Sequence, residues 1–321
     1  MLFSIIIPVY NSERYLEECL DSVLRQSYER WQAIIIDDGS DDGSFAIAEA
    51  YRAKDARFRV IHKENEGQIE ARLDGIRAAE GEVIMFLDSD DWWEPGCLEK
   101  IAAIFEADSI DAVFFPAHVV NNQGVLLNTV GCAAAESGEI DKKYIYESVL
   151  SSHGLNSLCL KAFRKSLFDL EVLNGAAEKR VRFAEDKLML LPLITNAKKI
   201  YYLKDALYAY RRHEESVSHK CLASNIQEML AKPVFAEVYR YMPLWEMANE
   251  RNKQKLELYY IRNLISCYYR VWRSCSGDEE RKLFRQYPWK SELRNRLGLY
   301  LKNSELTIKE KIWLMVIRMT P

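Results

Sequence analysis

The chain lacks the cysteine pattern of a disulfide-bonded or zinc-binding protein. Its 321 residues include seven cysteines, an odd number, and no two of them form a C-x-x-C pair. Secreted disulfide scaffolds and zinc ribbons both need paired or closely spaced cysteines. The sequence therefore predicts a reduced, cytosolic protein with neither a disulfide framework nor a zinc site.

Long apolar runs and a basic leader are also missing. No uncharged stretch approaches the roughly 20 residues that a bilayer-spanning helix needs. The apolar run near the first residue has no basic segment before it and no small-residue cleavage site after it, so no signal peptide is expected. We expect a cytoplasmic protein that either stays in solution or lies on the inner face of the cell membrane.

A glycine-rich phosphate loop is absent after the first predicted strand. That strand leads into Val9-Tyr10-Asn11-Ser12, whereas dehydrogenases carry G-x-G-x-x-G at this point. Nucleotidyltransferases bind a triphosphate with a glycine-rich basic loop, which this segment also lacks. Both classes are disfavoured, although a sugar-1-phosphate nucleotidyltransferase stays open as an alternative because it also combines an α/β sheet with an acidic metal pair.

Positive charge is scarce in the first two thirds of the chain. The formal net charge is −4, but residues 221–321 carry 18 Lys and Arg against 11 Asp and Glu. The acidic front part has no basic stripe with interleaved aromatics, so nucleic acid is not expected as a partner. The basic final part suits an anionic surface or acceptor, or it is a solvated helical face. Its segment Lys309–Arg318 is predicted either to lie in a membrane interface as a peripheral contact or to pack on its own domain.

The first 120 residues alternate short apolar runs with amphipathic segments. This alternation predicts a mostly parallel sheet with helices on both faces, and we expect Ser12 to cap the first helix. Residues 111–130 become extended around a turn and are predicted to form a hairpin added to that sheet. The predicted strands are Phe3–Val9, Trp31–Ile36, Phe58–His62 and Val83–Leu87, and the predicted helices are Ser12–Gln26, Ser44–Lys54, Gln68–Ala79 and one that begins near Pro95.

Polar side chains follow three of these strands directly. They are Tyr10 and Asn11, then Asp37 and Asp38, then the run Asp88-Ser89-Asp90-Asp91. Ligands of open α/β sheets bind where the carboxyl ends of parallel strands meet. These groups are therefore expected to converge at one edge of the sheet.

The acidic run from Asp88 to Asp91 predicts a site for a divalent cation. Clustered carboxylates at the end of a buried strand repel one another unless a cation or hydrogen bonds offset the repulsion. Carboxylate oxygens suit Mn²⁺ or Mg²⁺, and such an ion lets acidic residues approach a diphosphate. The alternative is a cluster that caps the next helix. Asp38, in its own run Asp37-Asp38-Gly39-Ser40, could accept a hydrogen bond from uracil or simply form an Asp-Gly turn.

These motifs together resemble family 2 inverting glycosyltransferases of the GT-A fold. The resemblance covers about residues 1–120 and continues more weakly to about residue 220. Its strong motifs are Ser4–Asn11, Asp37–Ser40, Asn65–Gly67, Ala71-Arg72, Gly75 and Phe86–Asp91, and its weaker ones are Lys161–Lys165, Phe183–Asp186, Tyr208–Arg212 and Ser216–Ser218.

The resemblance implies a role for each matching residue. Pro8, Tyr10 and Asp38 would hold the nucleotide base, with Tyr10 stacked on it. Arg72 would lie near the base or the diphosphate. Asp88, Ser89 and Asp90 would bind the ribose and the metal, with Asp90 the stronger candidate for a direct ligand. The family usually has Arg-Asn after Ala71, whereas this chain has Arg72-Leu73, which leaves local donor contacts open.

The reaction itself needs one base remote from the acidic run. In a single displacement, one group must deprotonate the acceptor hydroxyl on the face opposite the leaving diphosphate. The resemblance favours Asp186, with Glu185 as the rival base, and both could instead be helix N-terminal charges. Arg211 and Arg212, with His213, follow a predicted strand and either close over the diphosphate or form a surface charge run.

The sequence therefore predicts a metal-dependent hexosyltransferase of the inverting type. It would move a sugar from a nucleoside-diphosphate donor, UDP by resemblance, to a saccharide or lipid-linked acceptor in cell-surface polysaccharide biosynthesis. Residues 1–220 are expected to form the GT-A domain, with a nucleotide-sugar half (1–120) and an acceptor half (121–220), and residues 221–321 a helical region. A catalytically silent sugar-nucleotide binding module is the alternative from another class.

Overall fold

The structure is a computed structural model of the full chain. It describes residues 1–131, 133–151, 154–179, 181, 184–213, 223–275, 277–293 and 297–319. The predicted motif residues Phe183 and Ser216–Ser218 lie outside the described residues. Internal contacts divide the chain into two compact units, the first comprising Met1–Arg180 with Ala184–His213 and the second comprising Glu214–Pro321 with Val181–Phe183.

The first unit is an α/β structure built on two sheets. Within the described residues, an eight-stranded sheet has the order β3-β2-β1-β4-β10-β6-β11-β9, and a four-stranded sheet has the order β5-β12-β7-β8. The strands are β1 Phe3–Val9, β2 Trp31–Asp38, β3 Phe58–Lys63, β4 Val83–Phe86, β5 Trp92–Trp93, β6 Ala112–Phe114, β7 Ala117–Val120, β8 Leu126–Val130, β9 Gly138–Glu139, β10 Lys161–Arg164, β11 Ile200–Tyr202 and β12 Tyr208–Arg211. The helices of this unit are α1 Leu16–Leu24, α2 Ser44–Lys54, α3 Gln68–Ala78, α4 Cys97–Ala107, α5 Lys142–Ser151, α6 Leu170–Ala177 and α7 Glu185–Asn196.

The predicted parallel part of the sheet is confirmed. Strands β3, β2, β1 and β4 are neighbours and all run parallel. Every residue of β1 and β4 is buried, as expected for strands whose faces are both covered. Their carboxyl ends therefore meet at one edge. The polar residues after β1 and β4 lie there, together with Asp37 and Asp38, which are the last two residues of β2 rather than residues after it.

The predicted start of α1 is wrong. Helix α1 begins at Leu16, and its N-cap residue Tyr15 makes no side-chain capping hydrogen bond. The Ser12 hydroxyl instead hydrogen-bonds the Ser89 hydroxyl at 2.7 Å. Ser12 therefore connects the chain after β1 to the acidic run after β4.

The predicted hairpin belongs to a different sheet from the one expected. Strands β7 and β8 form the hairpin, but they pair within the four-stranded sheet. Strand β6 just before them stays in the large sheet between β10 and β11. Pro116 separates β6 from β7, and its missing N–H and fixed φ interrupt a sheet ladder. The chain changes sheets at this point.

Helix α3 lies unusually close to strand β1. A Cβ atom at Gly75 would stand 2.3 Å from Cγ2 of Ile6, which a real side chain does not tolerate. The same helix carries Arg72 and Leu73, both buried. Glycine at position 75 thus permits the close packing that sets the depth of α3 against the sheet.

The second unit is helical and has its own aromatic core. Trp289 is fully buried, with its ring centroid 4.9 Å from that of Tyr268, and the Trp289 indole N–H donates to the Phe284 carbonyl at 2.9 Å. The helices are α8 Ile226–Met229, α9 Lys232–Tyr241, α10 Glu250–Ser274, α11 Asp278–Gln286, α12 Trp289–Glu292, α13 Leu297–Lys302 and α14 Ile308–Met319. Among the described residues, none of the helices combines the length and apolar character needed to cross a membrane.

Candidate active site

Asp38 connects the end of β2 to the start of α3. Its two carboxylate oxygens accept hydrogen bonds from the backbone N–H groups of Glu66 at 2.9 Å and Gly67 at 2.8 Å. Gly67 has φ +98°, a conformation that glycine adopts readily. The side-chain amide of Gln68, the next residue, donates to Asp88 Oδ1 at 3.3 Å. Three consecutive residues thus link the carboxylate of Asp38, the last residue of β2, to that of Asp88, which follows β4.

Arg72 brings the acidic run and the Asp186 region together. Its guanidinium donates to Asp186 Oδ1 through Nη1 and to Asp88 Oδ1 through Nη2 at 3.1 Å. Glu185 Oε1 lies 3.9 Å from the same Nη1 atom. The Arg72 side chain is 1% exposed, and those of Asp88 and Asp186 are 27% and 21% exposed. The buried cation therefore needs these two partly exposed carboxylates as partners, because an unpaired buried charge is costly.

Burial and the charge of Arg72 act in opposite directions on the pKa of the Asp88 carboxyl. Burial raises the pKa of the Asp88 carboxyl, and the Arg72 guanidinium opposes that increase. The charges of Asp186 and Asp90 add to the increase. A cation near Asp88 therefore favours its ionised form, and Arg72 supplies one.

The second carboxylate oxygen of Asp186 accepts a hydrogen bond from the backbone. The N–H of Leu158 donates to Asp186 Oδ2 at 3.1 Å, and the carbonyl of the same peptide unit, that of Ser157, accepts a hydrogen bond from Lys161 Nζ. Lys161 is buried with its ammonium 4.7 Å from the Phe114 ring centroid. Burial lowers the pKa of Lys161 to about 7. Both carboxylate oxygens of Asp186 are thus fixed by groups that are themselves held in place.

The bend before α7 orients Glu185 and Asp186 at the helix start. Ala184 has φ +59° and ψ +24°, a left-handed conformation that is uncommon for a residue with a side chain. Burial, followed by the charge of Asp186, raises the pKa of the Glu185 carboxyl to about 8. Burial at the start of α7 therefore favours the protonated form of Glu185.

Asp90 and Asp91 are held by a different set of residues, on strand β12 and just after it. Asp91 Oδ2 accepts from the Tyr208 hydroxyl at 2.6 Å, and Oδ1 accepts from the Arg211 backbone N–H at 2.7 Å. Asp90 Oδ2 lies 2.9 Å from His213 Nε2, and Arg211 Nε donates to the Asp90 carbonyl at 3.0 Å. Burial raises the pKa of Asp91 well above its usual value. Asp91 therefore anchors the acidic run to the second sheet, and Asp90 is the more accessible of the two.

The other residues predicted to bind the nucleotide-sugar donor differ in their exposure to solvent. Tyr10 is 51% exposed at the end of β1, while Pro8 is buried within that strand. The Arg211 guanidinium is buried, pairs with Glu18, and stacks 4.6 Å from the Trp92 ring centroid. The Arg212 side chain is exposed. Of the two arginines, Arg211 already has partners around the acidic run, and Arg212 faces solvent.

The residues around Asp90 fit a divalent cation in part. Among the described residues, no group of three or more His, Cys, Asp or Glu side chains is arranged to hold a metal ion. Asp90 and His213 nevertheless offer an oxygen and a nitrogen side by side, and His213 Nδ1 is buried without a hydrogen-bond partner. Ions such as Mg²⁺ are often bound by one or two carboxylates together with substrate phosphates. Asp90 and His213 fit such an incomplete site.

Several supporting residues were not singled out from the sequence. His213 was grouped with the arginines rather than paired with Asp90, and no role was assigned to Gln68, Tyr208 or Lys161. Each acts on a partner far away in sequence, such as Asp90 for His213 and Asp88 for Gln68. Spacing within one segment gives no signal for such partners.

The parallel sheet and the carboxylates at its strand ends agree with the class of protein that the sequence motifs resemble, the glycosyltransferases of the GT-A fold. The profile of glycosyl transferase family 2 matches residues 4–170, and the chain belongs to this family. The chain is 32% identical over 244 residues to the uncharacterized glycosyltransferase EpsJ of Bacillus subtilis, covering 75% of this chain and 70% of that protein.

The chain is also similar to two proteins of known structure. The chain is 29% identical over 218 residues to the poly(ribitol-phosphate) beta-N-acetylglucosaminyltransferase TarS of Staphylococcus aureus, covering 67% of this chain and 36% of TarS. A crystal structure of TarS residues 1–349 with UDP-GlcNAc matches with TM-score 0.65 and 22% identity, over 99% of this chain and 91% of that one. The mannosyltransferase PcManGT of Pyrobaculum calidifontis, solved with GDP-Man and Mn²⁺, matches with TM-score 0.53 and 14% identity, over 99% and 86%. Both structures support the GT-A fold.

Proposed function

We propose that this glycosyltransferase moves a sugar from a nucleoside-diphosphate donor to a hydroxyl of a saccharide or lipid-linked acceptor, in one metal-dependent inverting displacement. The observation that carries the proposal is the Arg72 bridge, which places the carboxylate of Asp186 beside that of Asp88. Transfer of a sugar from a nucleoside-diphosphate donor to a hydroxyl, with release of the nucleoside diphosphate, needs a base and a donor-binding acidic run in one place. The bridge supplies that proximity.

Asp186 is proposed as the base. The acceptor oxygen would attack the anomeric carbon, its proton would pass to Asp186, and the bond to the diphosphate would break on the opposite face of the sugar. Two fixed hydrogen bonds, from Arg72 and the Leu158 N–H, orient the Asp186 carboxylate for this transfer. Glu185 is the rival base, and it lacks the two hydrogen bonds that orient Asp186 in this way: its Oε1 atom lies 3.9 Å from Arg72 Nη1.

The donor is proposed to lie along the carboxyl ends of β1, β2 and β4. Tyr10 is exposed and free to stack on a base, next to Pro8. Each oxygen of Asp38 has one hydrogen bond from the backbone, and a carboxylate oxygen can accept a second from uracil. Asp88 and Ser89 would contact the ribose, and Arg72, Arg211 and Arg212 the diphosphate. Residues 1–120 would thus form the nucleotide-sugar half and residues 121–220 the acceptor half.

Mn²⁺ or Mg²⁺ is the proposed cofactor, held by Asp90 with Asp88 and His213. When bound, the ion would neutralise the charge that grows on the leaving diphosphate. Two aspartates and an imidazole leave coordination positions for diphosphate oxygens. PcManGT was solved with Mn²⁺ and GDP-Man, which supports this choice of ion.

UDP is the proposed nucleotide, and cell-surface polysaccharide synthesis at the inner face of the membrane is the proposed setting. TarS was solved with UDP-GlcNAc and is named for transfer onto poly(ribitol-phosphate). Membership of family 2 disfavours the nucleotidyltransferase alternative. A catalytically silent binding module is a separate possibility that the experiment below distinguishes.

The test combines donor binding with turnover. A thermal-shift screen of nucleotide sugars with Mn²⁺ identifies the donor, because a ligand at 100 times its dissociation constant stabilises by about 2.7 kcal/mol. Release of the nucleoside diphosphate is then measured with and without saccharide acceptors, before and after chelation of the metal. We expect release to need the metal and to be lost in Asp186→Asn and Asp90→Asn. Donor binding without release under any acceptor would favour the silent module.

A further inference from the structure

Helix α14 in the second unit is apolar on two faces. Leu314 and Ile317 are fully buried in the core of that unit. On the outer side Ile308 is 80% exposed, Ile312 49%, and Met315 45%, and Met319 continues this line at 81%. Their spacing of four, three and four residues places them in one stripe along the helix. A helix at a water-facing surface normally carries polar residues there.

An exposed aromatic residue lies beside Trp313, on a different side of α14 from Ile308 and Ile312. Trp272, near the end of α10, is 54% exposed, and its ring centroid lies 6.1 Å from that of Trp313 on α14. Trp313 also lies 5.2 Å from Tyr269. We define the outer stripe as Ile308, Ile312, Met315 and Met319. Exposed apolar patches on a protein surface mark interaction sites.

Basic residues border the outer stripe on both sides. At 100° per residue, Lys309 lies along one edge of the stripe and Lys311 with Arg318 along the other. Lys309 and Arg318 are exposed, and Lys311 is partly buried. The acidic residue of the helix, Glu310, is partly buried and accepts hydrogen bonds from Arg262 at 2.9 Å and from the Thr307 hydroxyl. The border of the stripe is therefore positive.

We propose that the outer stripe lies in the headgroup region of a membrane that contains anionic lipid. An apolar face inserts about 5–10 Å into the boundary between headgroups and acyl chains, while flanking lysines and arginines contact lipid phosphates. A second copy of this chain fits less well, because pairing two identical stripes brings their positive borders together. The proposal concerns lipid binding alone and does not depend on the sugar-transfer chemistry.

The experiment measures binding of the full chain to vesicles. Vesicles of phosphatidylglycerol and phosphatidylcholine in equal amounts are compared with pure phosphatidylcholine by co-sedimentation. The triple variant Ile308→Ser/Ile312→Ser/Met315→Ser removes apolar surface, and Leu244→Ser, at a residue 67% exposed elsewhere in the unit, is the matched control. We expect the anionic vesicles to bind the chain, the triple serine variant to bind at least about tenfold more weakly, and Leu244→Ser to bind like the unchanged chain.

A charge variant gives an independent measurement if the serine variant folds poorly. Lys309→Gln/Lys311→Gln/Arg318→Gln should weaken binding by about fivefold for each basic residue near the surface, and added salt should weaken binding of the unchanged chain. The proposal is overturned if the chain does not co-sediment with anionic vesicles, or if neither triple variant binds them more weakly than the unchanged chain. A dimer in sedimentation velocity that the serine variant abolishes, without vesicle binding, would also overturn it and assign the stripe to a second copy.

Discussion

The acidic run after β4 divides into two parts with different partners. Asp88 faces α3 and α7, where Arg72 connects it to Asp186. Asp91, three residues later, is tied to β12 through Tyr208 and the Arg211 backbone. The first part joins the acidic run to the proposed base, and the second attaches the run to the other sheet.

This difference shows that neighbouring carboxylates in one motif can have separate tasks. Arg72 is a cation, so it can hold two carboxylates at once. The partners of Asp91 are a neutral hydroxyl and a backbone N–H, which fix position without supplying a formal charge. Asp90, between the two, has an imidazole as its neighbour. We expect substitutions in the first part to affect chemistry and charge, and those in the second part to affect geometry.

The largest expected effect is the loss of turnover in Asp186→Asn. An amide cannot accept the acceptor proton, and removal of a general base typically costs about 10²–10⁴-fold in rate. Steady-state release of the nucleoside diphosphate with saturating donor measures this loss. Glu185→Gln is the matched control and should keep most of the activity. If the two variants lose activity equally, Asp186 is not distinguished as the base.

Arg72→Met should give the largest loss of stability. The substitution leaves the carboxylates of Asp88 and Asp186 without their buried partner, and breaking a buried pair costs about 3–5 kcal/mol. Urea unfolding near neutral pH measures the change. Arg77→Met on the same helix removes a pair with Asp74 that is partly exposed and should cost less than about 1 kcal/mol. Equal costs for the two variants would show that the Arg72 bridge contributes no more than a surface pair.

Asp91→Asn should lower stability by less, about 1–3 kcal/mol. An amide nitrogen would replace one oxygen that now accepts a hydrogen bond, either from the Tyr208 hydroxyl or from the Arg211 N–H. Asp90→Asn is the comparison, because it keeps a polar group beside His213 and should change stability by less than about 0.5 kcal/mol. Asp90→Asn should nevertheless weaken the metal dependence of turnover. The opposite order of the two stabilities would contradict the division of the run.

The smallest expected effect is a pH-dependent gain in stability for Glu185→Gln. The folded-state pKa of Glu185 is raised from 4.5 to about 8, so the folded state disfavours the ionised form. Below pH 4.5 the carboxyl is protonated in both states and imposes no penalty. As pH rises from 4.5 towards 8, the unfolded chain loses the proton first, and the unchanged protein loses stability relative to the variant.

Urea midpoints of the two proteins at pH 4.5 and pH 8 test this sign. The stability advantage of Glu185→Gln should increase by about 1 kcal/mol or more over that range. A constant difference between Glu185→Gln and the unchanged chain at both pH values would contradict the raised pKa.

The sequence was sufficient to predict the parallel strands and the convergence at their ends. Strand β1 is apolar except for Ser4 and its bounds match the prediction, because burial on both faces favours apolar residues. The family resemblance identified the GT-A fold, which the family profile and the structural matches confirm. The roles of the individual site residues stay predictions.

What the sequence did not indicate depends on contacts between distant segments. The Arg72–Asp186 pair joins residues 114 positions apart, and no local pattern encodes it. The move of β7 into the second sheet follows from Pro116 and from the parallel pairing with β12, about 90 residues later. The wrong start for α1 arose because Ser12 has a partner, Ser89, from another strand end, and this partner replaces the capping bond that propensity favours.

The close approach of α3 to β1 has a consequence for the charges of the site. Gly75 and Arg72 lie one turn apart on the same helix, so the gap left by the missing side chain at position 75 fixes how deep the guanidinium sits. We expect a methyl group at position 75 to clash with Ile6 and to push α3 away from the sheet. Arg72 would then move away from both of its carboxylates. The absence of a side chain at position 75 thus allows the Arg72 guanidinium to lie between Asp88 and the proposed catalytic base, Asp186.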